Sequence, residues 1–254
     1  MMPSRKNQIC DLLKSIETGD SAPVSVVDEN KYIQHNRQTH EGSEGLAALF
    51  KRLSKTNPTV NIVRVFEDGD YVFAHTEYNF ERSNIGFEIF RFEDDQAVEH
   101  WDNIQPRLGP NSSGHTMVDG PTEPTDFDRT EINRRMVRAF VENVLVNRKL
   151  GELENYICID EYTQHDPKIA DGLPALREAL QTEVNGTLRL EYTHAHQVLA
   201  EGNFVLSASE GFFSGAHSAF YDLFRVSKNK IVEQWNTIEA ISPREKWKND
   251  NGKF

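Results

Sequence analysis

The side chains best placed for chemistry lie in one stretch, Phe87–Gln105, which reads FEIFRFEDDQAVEHWDNIQ. Glu88, Arg91, Glu99, His100 and Asp102 are ionisable yet sit among Phe, Ile, Val and Trp, where an unpaired charge is costly to bury. A carboxylate held in apolar surroundings is pushed toward a neutral pKa, which suits it to take a proton from a carbon acid. Asp102 is the candidate base, with His100 and Glu88 as the other candidate catalytic groups. Arg91, His100 or His35 are candidates to hold the oxyanion that such a step creates. A structural role competes at each: an ion pair for Arg91, a satisfied histidine at a helix-to-loop junction for His35, and aromatic packing for Trp101.

Two strands must carry these groups. Runs rich in aromatic and β-branched residues flank Glu93-Asp94-Asp95-Gln96, the pattern of a hairpin. Side chains alternate along a strand, so His100 and Asp102 share one face and Glu99 and Trp101 the other. With Asp94-Asp95 as a two-residue turn and no irregularity, Glu88 pairs with Trp101 and points away from Asp102. Only a bulge would bring Glu88 and Asp102 to one face.

The same stretch returns, altered, as YDLFRVSKNKIVEQWNTIE at Tyr221–Glu239. Tyr32, His35, Gly42 and Leu46 recur as Tyr162, His165, Gly172 and Leu176, each 130 positions on, and Arg91 and Trp101 recur 134 on as Arg225 and Trp235. The drift falls where loops absorb insertions, so the chain reads as a tandem duplication. Each copy runs from helical patterns (Arg5–Glu17, for example) into about four strands. The expected fold class is α+β: two tandem cone-shaped barrels, each with about three helices packed on a curved antiparallel sheet. Residues 1–108 form the first domain, the Pro- and Gly-rich segment 109–128 a linker, and 129–254 the second domain.

Taken in order, YIQHN at Tyr32–Asn36, EDGDYVFAH at Glu67–His75 and the FEIFRFEDD…VEHWDNIQ hairpin resemble the SnoaL-like branch of the nuclear transport factor 2-like superfamily. The resemblance implies a cone-shaped α+β barrel and relatives that include cofactor-free polyketide cyclases, isomerases, hydrolases and non-catalytic binders. In those cyclases an aspartate near the end of the last strand is the general acid/base of an aldol closure; Asp102 matches it. An assisting histidine of the cyclases matches Glu88, so the chain departs from the pattern there. His35, Asn36, His75, Arg91 and Trp101 are the expected substrate-binding residues. In the second copy the expected pocket residues are His165, Asp222, Arg225, Trp235 and Asn236. There Gln234 and Asn236 stand in place of His100 and Asp102, and an amide takes no proton, so the second cone is expected to be degenerate.

The expected activity is therefore proton transfer on a small, largely apolar carbonyl compound, without cofactor or metal. The alternative is a ligand-binding or scaffolding protein of the same fold. A net charge of −12, shared by both halves of the chain, argues against nucleic acid as partner, because phosphate binding needs a basic face. No stretch reaches the roughly 18 apolar residues of a membrane span, and the start, MMPSRKNQIC, lacks the apolar core of a signal peptide. Cys10 and Cys158 read as unpaired thiols of a cytoplasmic protein. His194-x-His196 puts two imidazoles on one strand face, but no Glu or Cys completes a ligand spacing, and no nucleophile elbow is present. The sheets of the two copies are expected to pair within the chain as a pseudo-dimer, with a further homodimer as an extension of the same packing.

Overall fold

The computed structural model describes residues 3–254. Its contacts resolve two compact units: Met1–Pro106 with Ser242–Phe254, and Arg107–Ile241. This division differs from the boundaries expected from composition. The Pro- and Gly-rich segment belongs to the second unit, where the Asn111 amide donates to the carbonyls of Gln164 and Ile169 at 2.7 and 2.9 Å. The last residues belong to the first unit, where the Asn249 amide donates in the same way to Asn36 and Thr39 at 2.8 and 3.0 Å. Each unit thus has an asparagine-anchored strap.

In the first unit, α1 (Arg5–Thr18) starts where the Ser4 hydroxyl accepts from the Asn7 N–H and stops at Gly19, which adopts a left-handed φ of 72°. Its apolar face, Ile9, Leu12, Leu13 and Ile16, is buried. A 3₁₀ turn (Ala22–Val26) follows, and α2 (Gly42–Leu53) completes the helical layer. The sheet contains β1 (Ile33–Gln34), β2 (Thr59–Asp68), β3 (Tyr71–Asn79), β4 (Ser83–Glu93) and β5 (Gln96–Pro106), in the order β1-β5-β4-β3-β2. The two-residue β1, parallel to β5, is the strand that the four-strand expectation lacks. Helix residues Ile9, Leu12, Leu46 and Phe50 pack with Val72, Ala74, Tyr78 and Phe90 of one sheet face.

The second unit repeats this plan with α3 (Thr130–Phe140), α4 (Leu153–Tyr156), α5 (Leu173–Gln181) and a sheet ordered β6-β12-β11-β10-β9. Those strands are β6 (Thr163–Gln164), β9 (Leu190–Glu201), β10 (Phe204–Phe213), β11 (Ala216–Ser227) and β12 (Lys230–Ala240); a small hairpin, β7 (Glu183–Val184) and β8 (Thr187–Leu188), stands apart. The chain leaves α3 at Phe140 as a π-helical turn through Val146, closed by the Asn147 side chain on the Glu142 carbonyl.

One irregularity decides the chemistry. Asp94 and Asp95 form the two-residue turn with φ of 46° and 64°, and Phe92 faces Ala97 as an unbulged hairpin requires. Val98 is then an extra residue: Arg91 pairs with Glu99, and Glu88 falls directly opposite Asp102. The unbulged register, with Glu88 opposite Trp101, is therefore corrected. The second unit carries the same bulge at Val232, behind the Lys228-Asn229 turn, and places Asp222 opposite Asn236. Among the described residues no helix is long and apolar enough to cross a membrane, and Cys10 and Cys158 are both free thiols.

Candidate active site

The bulge puts Glu88, His100 and Asp102 together on the helix-facing side of the first sheet, each 5% exposed or less. Glu88 Oε2 lies 2.7 Å from His100 Nε2, and Tyr78 donates its hydroxyl to Glu88 Oε1 at 2.8 Å. His100 Nδ1 lies 2.8 Å from Gln34 Oε1, which also accepts the Asn36 N–H at 2.8 Å. Because Gln34 presents its oxygen to that N–H, it accepts from His100 as well, and His100 Nδ1 carries a proton. One further proton then lies between His100 Nε2 and Glu88 Oε2. Burial raises the Glu88 pKa, against the opposing pull of the His100 hydrogen bond. Burial, reinforced by the Glu88 charge, also lifts the Tyr32 and Tyr78 hydroxyls well above their ordinary range.

Asp102 is held differently. Its Oδ2 accepts a short hydrogen bond from the Asn36 amide. On its other side the Lys253 ammonium, carried in by the strap, lies 3.6 Å from Oδ1 and 2.5 Å from the Asp102 carbonyl oxygen. The carboxylate is thus paired with a buried cation.

The other expected substrate-binding residues are on the opposite face. His35 Nε2 meets Glu99 at 3.0 Å, Glu99 is bound by Arg91 at 2.7 Å, and the His35 ring stacks on Trp101 at 4.8 Å. His75 stacks on Phe87 at 4.4 Å and meets the Arg64 guanidinium at 3.0 Å, also away from Glu88. Of the five, only Asn36 joins the cluster. The second unit matches this division: His165, Glu233, Arg225 and Trp235 form the same set on one face, with Asp222 and Asn236 on the other.

In the second helix-facing cluster the residue types differ, and the contacts keep a matching set of donors and carboxyls. Asn236 donates its amide to Asp166 Oδ2 at 3.1 Å, where the first unit has Asn36 donating to Asp102. Donor and carboxylate have exchanged places. The tyrosine has moved too. Tyr78 faces Val60 across β2 and β3, whereas Gly211 faces Tyr192 across β9 and β10, and Tyr192 donates to Asp222 Oδ2 at 3.1 Å. Gln234 takes the place of His100, accepting from Tyr162 at 2.5 Å and donating to Asp222 Oδ1 at 2.9 Å. Burial pushes the Asp222 carboxyl up to about 7. The second cone therefore keeps its carboxylates, at Asp222 and Asp166, and lacks an imidazole.

Tyr78, Gln34, Lys253, Tyr192 and Asp166 are the members of these clusters that the sequence reading missed. Gln34 and Gln164 carried a signal, since both sit one position before a repeated histidine. The Glu that appeared to be missing beside His194-x-His196 is also present: Glu210 meets His196 at 3.0 Å and His217 at 2.7 Å. A groove of about 560 Å³ in the second unit is lined by Ile159, Leu173, Pro174 and Arg177 among others, and by none of these cluster residues.

Gly86 supports the first cluster directly. A Cβ there would lie 2.9 Å from Thr76 Oγ1, 3.0 Å from Tyr78 Cε2 and 3.3 Å from Glu88 Oε1. Gly86→Ala should therefore displace Tyr78 from Glu88 and lower stability by about 1–3 kcal/mol, read by urea unfolding; an unchanged midpoint would show that the cluster yields freely.

No protein-family model matches the chain, and no curated protein matches it in sequence. Solved structures do match. TsrD from Streptomyces laurentii is 20% identical, with 41% of this chain and 92% of that one covered and a TM-score of 0.35. A provisionally assigned polyketide cyclase from Bacillus cereus is 18% identical over 39% of this chain and 72% of its own, TM-score 0.35. An LEH-like epoxide hydrolase of M. tuberculosis is 20% identical over 44% and 85%, TM-score 0.34. Each is similar to less than half of this chain.

Proposed function

We propose that the chain is a cofactor-independent enzyme that moves a proton on a small, largely apolar carbonyl compound, using the helix-facing cluster of the first unit. The observation that carries this reading is the buried 2.7 Å contact between Glu88 Oε2 and His100 Nε2, which one proton must bridge. A proton that either group can hold is what general acid–base catalysis requires, and Tyr78 and Gln34 fix both partners in place. Glu88, rather than Asp102, is then the acid/base, because Asp102 is already committed to the Lys253 ammonium and the Asn36 amide. The similarity to a provisionally assigned polyketide cyclase and to an LEH-like epoxide hydrolase lends no activity to this chain.

One observation favours the second reading, a binding protein without chemistry: Glu88, His100 and Asp102 find all these partners within the protein, as buried polar groups in any core must. Deuterium exchange at the carbons flanking the carbonyl, followed by NMR across a panel of small ketones and aldehydes in D₂O, separates the two. The enzyme reading expects exchange by the wild type that falls at least about 100-fold in Glu88→Gln, which preserves the hydrogen bonds but cannot carry the proton. Saturable binding of panel members with no exchange would leave the binding protein.

A further inference from the structure

We propose that His115, Asp119 and His165 form a site for one divalent transition-metal ion in the second unit, on the face opposite Asp222. The three residues offer ligand atoms that all lie within 4.8 Å of one another. Asp119 sits between the two rings: Oδ1 is 2.8 Å from His165 Nδ1, and Oδ2 is 3.7 Å from His115 Nδ1.

What distinguishes this cluster from a chance meeting of charges is how the rings are held from behind. His165 Nε2 lies 2.9 Å from Glu233 Oε1, and the other oxygen of Glu233 accepts from Arg225 Nε at 2.6 Å. Glu233 is therefore a carboxylate, and His165 donates its Nε2 proton to it. His115 Nε2 lies 3.0 Å from Asp171 Oδ2. Both imidazoles thus spend one nitrogen on a backing carboxylate and turn Nδ1 toward Asp119. A carboxylate behind a histidine whose other nitrogen faces a shared centre is the arrangement that fixes tautomer and ring angle in metal sites. Trp235 adds to the preorganisation: it stacks on His165 at 4.6 Å and donates its indole N–H to the Asp119 carbonyl at 2.9 Å.

Oxygen atoms crowd the Nδ1 side of His165: Asp119 Oδ1 at 2.8 Å and the Thr116 carbonyl at 2.6 Å. A metal ion is a cation that such oxygens and both Nδ1 atoms can share, and the second ring, His115, faces the same carboxylate. Two imidazoles and a carboxylate with remaining positions open to water suit zinc or iron(II). Openness to solvent is present, with the side chains of His115 and Asp119 35% and 43% exposed.

The first unit supplies an internal contrast. His35 has the same backing, Glu99 with Arg91, and the same stacked indole, but its Nδ1 faces the Gly252 carbonyl at 3.3 Å. It has neither the carboxylate nor the second histidine, so no matching site is expected beside His35.

The test is calorimetric titration of the full chain, stripped with chelator and exchanged into chelator-free buffer, with ZnCl₂. One strong site is expected. His115→Gln and Asp119→Asn should each weaken binding at least about tenfold, and Asp171→Asn, which removes only a backing group, about tenfold. His196→Gln should leave binding unchanged, which separates this site from the Glu210 histidine cluster. Both ligands altered lie on the partly exposed strap, and far-UV circular dichroism verifies that the variants remain folded. Cobalt(II) in place of zinc should give visible d–d absorption that Asp119→Asn removes. No zinc binding, wild-type binding in both strap variants, or loss only in His196→Gln would each overturn the proposal.

Discussion

Replacing Lys253 with methionine is expected to destabilise the protein by about 3–5 kcal/mol near neutral pH, the cost of leaving one half of a buried ion pair alone. The lysine and Asp102 side chains are 2% and 5% exposed, so water is not at hand to take over from the ammonium. Methionine keeps the length and most of the apolar stem, which confines the change to the charge. Asp102→Asn should be destabilising as well, because it takes the opposing carboxylate from the ammonium and leaves it the main-chain carbonyl of residue 102. The double variant should recover much of the loss: with both charges gone, an asparagine at 102 can still bond to Asn36. Two charges in contact are coupled, and the four proteins of this cycle, compared by urea unfolding, should show at least about 2 kcal/mol of non-additivity. Strict additivity would mean that the strap lysine and Asp102 do not interact as their 3.6 Å separation implies.

The duplication, the helix-then-sheet order and the hairpin were all legible because each rests on local periodicity or on a repeated residue type. Gly19 and the Asp94-Asp95 turn announced themselves through the backbone conformations that they favour. The bulge at Val98 did not. An inserted valine looks like any other strand residue, and its effect, bringing Glu88 onto the face of Asp102, exists only in the pairing. The straps were hidden for a related reason: Asn111 and Asn249 anchor segments whose composition reads as linker or tail. Position-by-position comparison of the two copies misled most at Asn236. It finds a lost carboxylate, whereas the hydrogen bond survives with its ends exchanged, at Asp166. The same holds for Tyr78 and Tyr192, which reach equivalent carboxyls from neighbouring strands. Networks of this kind preserve a sum of donors and acceptors rather than the residue at each position, so their parts are recognised by contact and not by alignment.

The largest pH-dependent effect is expected from Asp222→Asn. In the folded protein burial holds the Asp222 carboxyl up to about 7, against an ordinary value of 3.8. Between those values the folded state keeps a proton that the unfolded chain has released, so stability falls as pH rises through that window. Below about pH 4 the burial costs nothing on this account; above pH 7 the full cost applies, of order 4 kcal/mol. Asparagine has no charge to desolvate. It can still accept from Tyr192 or Gln234, and its amide N–H gains an acceptor in Asn236 Oδ1, which lies on the residue directly opposite and is buried without a hydrogen bond. Subtracting the unfolding free energies of wild type and variant cancels the titrating groups that Asp222 does not act on, Glu88 included, and leaves Asp222 with its coupling to Asp166. The difference should be near zero at pH 4 and grow to several kcal/mol in favour of the variant at pH 8. Parallel curves across that range would mean that Asp222 titrates alike in the folded and unfolded chain, and that Tyr192 and Gln234 hold it as an ordinary carboxylate.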